Sequence, residues 1–328
     1  MANEATAALI VNTGTPQAPS AGAVWAFLRR FLSDRRVVSL PPLLWRPLLY
    51  GLVLPLRSPR SAAKYREIWR PEGSPLLFHG SRLREALARE LGNVRGALRV
   101  QQAFLYSPPF VASSMERLRL EGVRRLIVLP LFPQSSGSTT GAVYDQVSAA
   151  LRGWQGLPGL RFIDAYFDSD GYIAALATSV REHWGLHGRG AHLLMSFHGI
   201  PQSFVARGDR YDHECRQTAA LLAAALDLNP QQWSLSYQSR FGANRWLSPA
   251  TDRTLAELPR RGERAVTVLC PGFAVDCLET LEEIALRGRE IFLHAGGERF
   301  EYVNALNART DHARALAQVI MRASDDWA

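Results

Sequence analysis

The chain reads as an α/β protein made of two doubly wound lobes, each built on a parallel sheet, facing each other across a cleft. Three observations predict this. Short apolar runs alternate with longer stretches of helical periodicity, and strands alternating with helices imply a parallel sheet covered on both faces. The apolar runs end in Gly, Pro or Ser turns, as strands leading into loops do. At 328 residues the chain is long enough for two domains, and a Gly/Pro-rich link at 153–159 falls where the change of domain is expected.

Composition narrows the class. Hydrophobic residues at 47% with 21% charged are ordinary for a soluble enzyme. The net charge of +8 suits an anionic partner, whether nucleic acid, a membrane surface or an acidic small molecule. Lys64 is the only lysine, so the excess is arginine. Cys215, Cys270 and Cys277 form an odd set without paired spacing, which predicts free thiols in a reducing compartment. The start, Met1 to Thr6, has no basic region ahead of its short apolar run, so a cytoplasmic protein is expected.

Residues 7–11 read as the first strand, and Asn12-Thr13-Gly14-Thr15-Pro16 turns out of its carboxyl end. A helix over 21–32 follows, with Trp25, Phe27, Leu28 and Phe31 on its apolar side. Residues 41–56 are apolar but broken by Arg46, Pro47, Gly51 and Pro55, short of the roughly 20 uninterrupted residues a spanning helix needs. Flanked by Arg35, Arg36, Arg57 and Arg60, this lip (37–56) reads either as a segment that dips into a bilayer surface or as a buried helical hairpin or dimer contact. Arg57-Ser58-Pro59 is expected to open a helix through Tyr65 to Trp69, and Ser74 to cap the next, over 76–91.

Residues 97–106 read as a strand, as do 126–131, and 132–141 form a hydroxyl- and glycine-rich loop ahead of a helix. Such a loop offers donors to an anion, but no Walker lysine or Gly-x-Gly-x-x-Gly pattern accompanies it, so nucleotide binding is poorly supported. Later strands are expected at 160–163, 193–196, 233–237, 265–269 and 290–293, and a last helix over 311–322. The runs 126–133 and 266–273 look alike.

Two stretches carry chemistry. Residues 193–201, Leu-Leu-Met-Ser-Phe-His-Gly-Ile-Pro, form a buried strand stopped by Gly199 and Pro201, which leaves His198 at its carboxyl end, where open α/β sheets place ligands. Alone, His198 reads as a core histidine with a backbone partner. Further on, Asp276 is expected to cap a helix that puts Glu279 in its first turn and Glu283 one turn on, a carboxylate ladder able to accept protons or bind a cation. Alone, it reads as capping and a solvated acidic face.

Together the motifs Ser196 to Pro201, Cys270 to Ile284 and Leu131 to Gly141 resemble ferrochelatase, the enzyme family that inserts ferrous iron into a porphyrin to make haem. The resemblance runs from about Leu9 to about Leu316. It implies two Rossmann-like lobes with parallel four-stranded sheets facing a central cleft: a first lobe over 1–158, a second over 159–305 carrying His198 and Glu279, and a C-terminal helix, 306–328, packed back on the first lobe. The lip would ring the mouth of the site and meet the inner face of the membrane peripherally.

The family likeness assigns His198 and Glu279 to metal handling and proton acceptance, with Glu283 extending the relay. Thr13 and Tyr106 would face substrate, Arg57, Tyr65 and Ser74 would meet propionates, and Trp246, Ser239 and Arg240 would meet the macrocycle. Leu105 departs from the arginine many members carry, and Cys277 stands where others have histidine. Fe(II) enters as substrate and no permanently bound cofactor is implied. Some members hold a [2Fe–2S] cluster on four cysteines; three cysteines predict none here.

The expected reaction is Fe(II) insertion into protoporphyrin IX, with coproporphyrin III ferrochelatase or a cobalt chelatase as alternatives within the class. From another class, a non-catalytic haem or porphyrin carrier fits the same cleft. Nucleic acid is not an expected partner. A serine hydrolase is the weakest reading, because Gly137 to Gly141 puts Thr139 where the nucleophile elbow needs serine.

Overall fold

The computed structural model describes residues 5–95, 98–241 and 245–327. Met1 to Glu4, the start of the 97–106 strand and Gly242 lie outside them. The chain divides into two compact units, each with a wholly parallel four-stranded sheet, as the alternation of strands and helices predicts. The first unit takes residues 1–132, 136–165 and 316–328, and the second takes 133–135 and 166–315.

In the first unit β1 (Thr6–Asn12), β2 (Arg99–Phe104), β3 (Arg125–Pro130) and β4 (Gly159–Phe162) lie in the order β2-β1-β3-β4. Ala7 to Val11 are completely buried, the signature of a strand covered on both faces. Its helices are α1 (Ala21–Ser33), α2 (Pro42–Leu48), α3 (Leu54–Ile68), α4 (Pro75–Arg95), α5 (Val111–Leu120) and α6 (Thr140–Leu151). Ser20 caps α1, its hydroxyl accepting from the Ala23 amide, and the Ser74 hydroxyl accepts from the Leu77 amide at the head of α4.

Two expectations are corrected here. Residues 159–162, placed in the second lobe from sequence, pair with β3 as the edge of the first sheet, and the change of unit comes at 165/166. The Gly/Pro-rich stretch before them is the turn into that edge strand. No helix opens at Arg57 either, because α2, a π-helical turn at Leu49–Val53 and α3 run on from one another, with Pro59 inside α3. Pro55 has no N–H and crowds the carbonyl four residues back; the wider turn, in which the Leu54 amide bonds Leu49 O, accommodates it. No helix among the described residues is long and apolar enough to cross a membrane.

In the second unit β5 (His192–His198), β6 (Trp233–Gln238), β7 (Ala265–Leu269) and β8 (Arg299–Val303) take the order β6-β5-β7-β8. This repeats the order of the first sheet, so β3 and β7 hold equivalent places, which accounts for the likeness of 126–133 and 266–273. The helices are α7 (Asp170–His187), α8 (Gln202–Val205), α9 (Tyr211–Ala225), α10 (Thr251–Glu257), α11 (Leu278–Thr280), α12 (Arg289–His294) and the start of α13 (Thr310–Arg322), which passes into the first unit at Leu316.

The strand expected at 290–293 is α12, and the last strand is β8. Phe292 is fully buried in one core cluster with Leu194, Leu255, Val266, Val268, Ile284 and Phe300, and a short apolar run looks the same in a buried helix as in a strand. Of the C-terminal stretch, residues from Leu316 belong to the first unit, where the Arg125 and Arg161 guanidiniums lie 5.8 and 4.7 Å from the Trp327 ring centroid.

Candidate active site

In the second sheet β5 lies between β6 and β7, so the carboxyl ends of β5 and β7 border the point where strand order reverses, the usual ligand position in such sheets. His198 is the last residue of β5 and half-buried. Its Nδ1 is 2.7 Å from the Gly199 carbonyl oxygen. A carbonyl only accepts, so Nδ1 carries the proton and Nε2 of the neutral ring keeps its lone pair. No described residue hydrogen-bonds that nitrogen. The backbone-partnered histidine and the available base are therefore one residue.

Gly199 is required by close approach. Its amide donates to Gln238 O at 2.8 Å, and a Cβ added there would sit 2.8 Å from that oxygen and 3.3 Å from Trp246 Cε3.

Beyond β7 the chain reaches Asp276, expected from sequence to cap the helix. It is instead a buried anchor. Its Oδ1 accepts from Thr280 Oγ1 at 2.9 Å and Tyr302 OH at 2.7 Å, and its Oδ2 accepts from Asn307 Nδ2 at 2.7 Å. The helix cap is Cys277, whose amide donates to Thr280 Oγ1 at 3.0 Å. Burial, then the adjacent Glu279 charge, pushes the Cys277 thiol well above its ordinary pKa, so it stands as a neutral hydrogen-bond partner of Glu279.

The expected α-helical ladder is also altered: α11 lasts one turn and gives way to a π-helix, Leu281–Gly288, that carries Glu283. Glu283 accepts from the Ser239 amide at 2.8 Å through Oε1 and from the Ser239 hydroxyl at 2.5 Å through Oε2, and Arg287 pairs with Oε1 at 3.2 Å. Ser239 takes φ +66, a left-handed conformation that aims amide and hydroxyl at one carboxylate.

Sequence reasoning missed Gln238, the last residue of β6 and His198's partner in the sheet register. It is buried. Its Oε1 accepts from Ser196 Oγ at 2.7 Å and Cys270 Sγ at 3.6 Å, while its Nε2 donates to the Glu279 carbonyl at 2.7 Å. Ser196 Oγ and Ser236 Oγ each lie 2.8 Å from Thr251 Oγ1. The only signal was polar side chains inside runs otherwise apolar enough to be buried strands.

Trp246 bridges to Pro201, and its Nε1 donates to Phe241 O at 2.9 Å with the Phe241 ring centroid 4.9 Å away. Arg240 turns its Nη2 to both oxygens of Asp252 at 3.1 Å. Among the described residues no three of His, Cys, Asp or Glu converge on one metal position.

The remaining expected site residues belong to the first unit. The Thr13 amide bonds its neighbour Asn12 Oδ1 at 2.7 Å, and its carbonyl accepts from the Tyr106 amide at 3.1 Å. Gly14 at φ +100 keeps this loop against Ser107, whose Oγ a Cβ would meet at 2.4 Å. Tyr106 is buried; its hydroxyl donates to Asp34 Oδ2 at 2.8 Å, and burial followed by that carboxylate raises its pKa. Arg57 and Tyr65 lie on α3, with Tyr65 buried beside Trp69, and Ser74 is the cap of α4.

The ferrochelatase family model matches residues 5–324. The ferrochelatase of Aeromonas hydrophila is 50% identical over 317 residues, covering 97% of this chain and 98% of that protein. That of Aromatoleum aromaticum is 48% identical over 325 residues, covering 99% and 89%. Among solved structures, the sirohydrochlorin chelatase SirB from Bacillus subtilis in complex with cobalt superposes with a TM-score of 0.58 at 10% identity, covering 98% of this chain and 96% of that one, a likeness of fold.

Proposed function

Since the chain belongs to the ferrochelatase family, lyases that complete haem biosynthesis, we propose that it inserts Fe(II) into protoporphyrin IX, using His198 and Glu279. The observation that carries this is the His198 ring, whose Nδ1–H is held by Gly199 O while Nε2 keeps a lone pair at the strand end. Metal insertion requires two pyrrole N–H protons to leave as the four nitrogens bind iron, and iron to shed its water. A neutral imidazole accepts a proton or makes a first metal contact, and the Glu279 carboxylate does either as its partner. Glu283, oriented by Ser239, takes protons onward.

Thr13, Arg57, Tyr65, Ser74, Tyr106, Ser239, Arg240 and Trp246 remain our substrate-binding set. Arg240 would first leave Asp252. Three cysteines do not supply a four-thiolate site, and on that count we propose chemistry without an iron–sulfur cluster.

The lip is our membrane contact. Leu43, Leu44, Leu48, Leu52 and Leu56 are exposed, as are Arg35, Arg46 and Arg60, a pairing suited to an anionic bilayer surface on the cytoplasmic side. Replacing Leu43 and Leu44 by Glu should abolish co-sedimentation with anionic liposomes at low salt; unchanged sedimentation would remove the lip from this role.

The test of function is anaerobic Fe(II) insertion followed by loss of porphyrin fluorescence, run on protoporphyrin IX and coproporphyrin III. His198→Ala should keep porphyrin binding and lose turnover. A carrier would bind without turnover in the unaltered protein, and preference for coproporphyrin III would reassign the substrate.

A further inference from the structure

We infer that Gln238 is the positioning residue that sets Glu279 against His198. The inference rests on the chelatase reading of those two residues. A single side chain and its own backbone hold both partners. The Gln238 carbonyl accepts the Gly199 amide, holding on its N-terminal side the residue whose own carbonyl orients the His198 ring, and the Gln238 Nε2 donates to the Glu279 carbonyl.

The direction of these bonds is determined. Nε2 faces a carbonyl, so Oε1 faces Ser196 and Cys270; the flipped amide would set oxygen against oxygen. Ser196 gives its only hydroxyl proton to Oε1, so its bond with Thr251 is donated by Thr251, and the bond between Thr251 and Ser236 by Ser236. A one-way chain therefore runs Ser236 to Thr251 to Ser196 to Gln238 to the Glu279 carbonyl. Ser196, Ser236, Thr251 and Gln238 are all buried, which leaves no water to replace a lost link. At the Glu279 carbonyl this donor acts from outside the helix, beside the Asp276 and Cys277 bonds that hold Thr280 in the same turn.

The test is a double-mutant cycle of Gln238→Met with Glu279→Asp, the latter retaining a carboxylate. Circular dichroism and porphyrin affinity check the fold. Gln238→Met should lower kcat/KM for the metal about 10-fold, the loss expected for one buried hydrogen bond that places a reacting group, with porphyrin KM unchanged. In the Glu279→Asp background the same change should cost less than about 2-fold, because the effect passes through Glu279. Equal fold-losses in both backgrounds, or losses shared by porphyrin KM, would overturn the assignment. If Gln238→Met does not fold, Ser196→Ala in the same cycle removes the donor that orients the amide, and is held to the same criteria. An unaltered protein that does not insert metal would instead refute the chelatase reading.

Discussion

Gly199→Ala is the change whose cost is most directly read from the coordinates. The new methyl would stand 2.8 Å from the Gln238 carbonyl oxygen, a backbone atom in the sheet that cannot rotate away, and 3.3 Å from Trp246 Cε3. Normal contact needs separations near 3.5 Å, so the Gly199 Cα and the peptides on either side of it must retreat by roughly 0.7 Å. Crowding of this kind costs about 1–3 kcal/mol, and weakening the 2.8 Å bond from the Gly199 amide adds about 0.5–1.5 kcal/mol, together about 2–4 kcal/mol. The same retreat carries the carbonyl that orients His198. Misplacing a reacting group by 1 Å costs about 100-fold, so a shift of roughly 0.7 Å should lower turnover about 10- to 30-fold. Urea unfolding followed by tryptophan fluorescence gives the first quantity and anaerobic iron insertion the second. Gly22→Ala, on a helix with nothing within 4 Å of the new carbon, is the control and should be neutral or slightly stabilising. A Gly199→Ala protein within about 0.5 kcal/mol and 2-fold of the parent would refute the close-approach argument.

Two further outcomes follow from buried groups. Asp276→Ala should destabilise by about 3–5 kcal/mol, because the Tyr302 hydroxyl and the Asn307 amide lose their buried acceptor; thermal unfolding checks it, and a loss under about 1 kcal/mol would mean water replaces the carboxylate. His312 is wholly buried, and burial pushes its pKa from the ordinary 6.5 down to about 4. The unfolded chain therefore binds this proton first, and the stability it contributes, present above pH 6.5, is lost as pH falls toward 4, about 3 kcal/mol in all. Urea denaturation at pH 7, 5.5 and 4 should show that slope in the parent and its absence in His312→Gln; parallel curves would exclude His312 as the source.

Much was legible in the sequence for one reason: both sheets are parallel and covered on both faces, so their strands stand out as short apolar runs ended by glycine and proline. That pattern determined the two-sheet α/β class and the place of His198 at a strand end, and residue type marked Ser74 as a cap. It failed where local pattern is degenerate. Residues 290–293 are apolar in a way that suits helix and strand equally, and only the seating of Phe292 against Phe300 decided for helix. A Gly/Pro-rich stretch marks a turn without saying whether the next strand joins the old sheet or a new one, and the pairing of Arg125 with Gly159 settled that.

The site divides along the same line. Residue type and spacing along the chain brought His198, Glu279 and Glu283 forward as candidates, because residues at strand and helix ends are local features, and the family resemblance supplied the roles proposed for them. Gln238, Ser196, the Asp276 anchor and the turning of Arg240 toward Asp252 were decided by tertiary structure alone. Each is a polar group whose meaning depends on a partner at least 12 residues away, as with Arg240 and Asp252, or 41 away, as with Gln238 and Glu279. Spacing along a chain carries no record of such pairs; burial, which drives most polar groups to find a partner, creates them only once the sheet has formed.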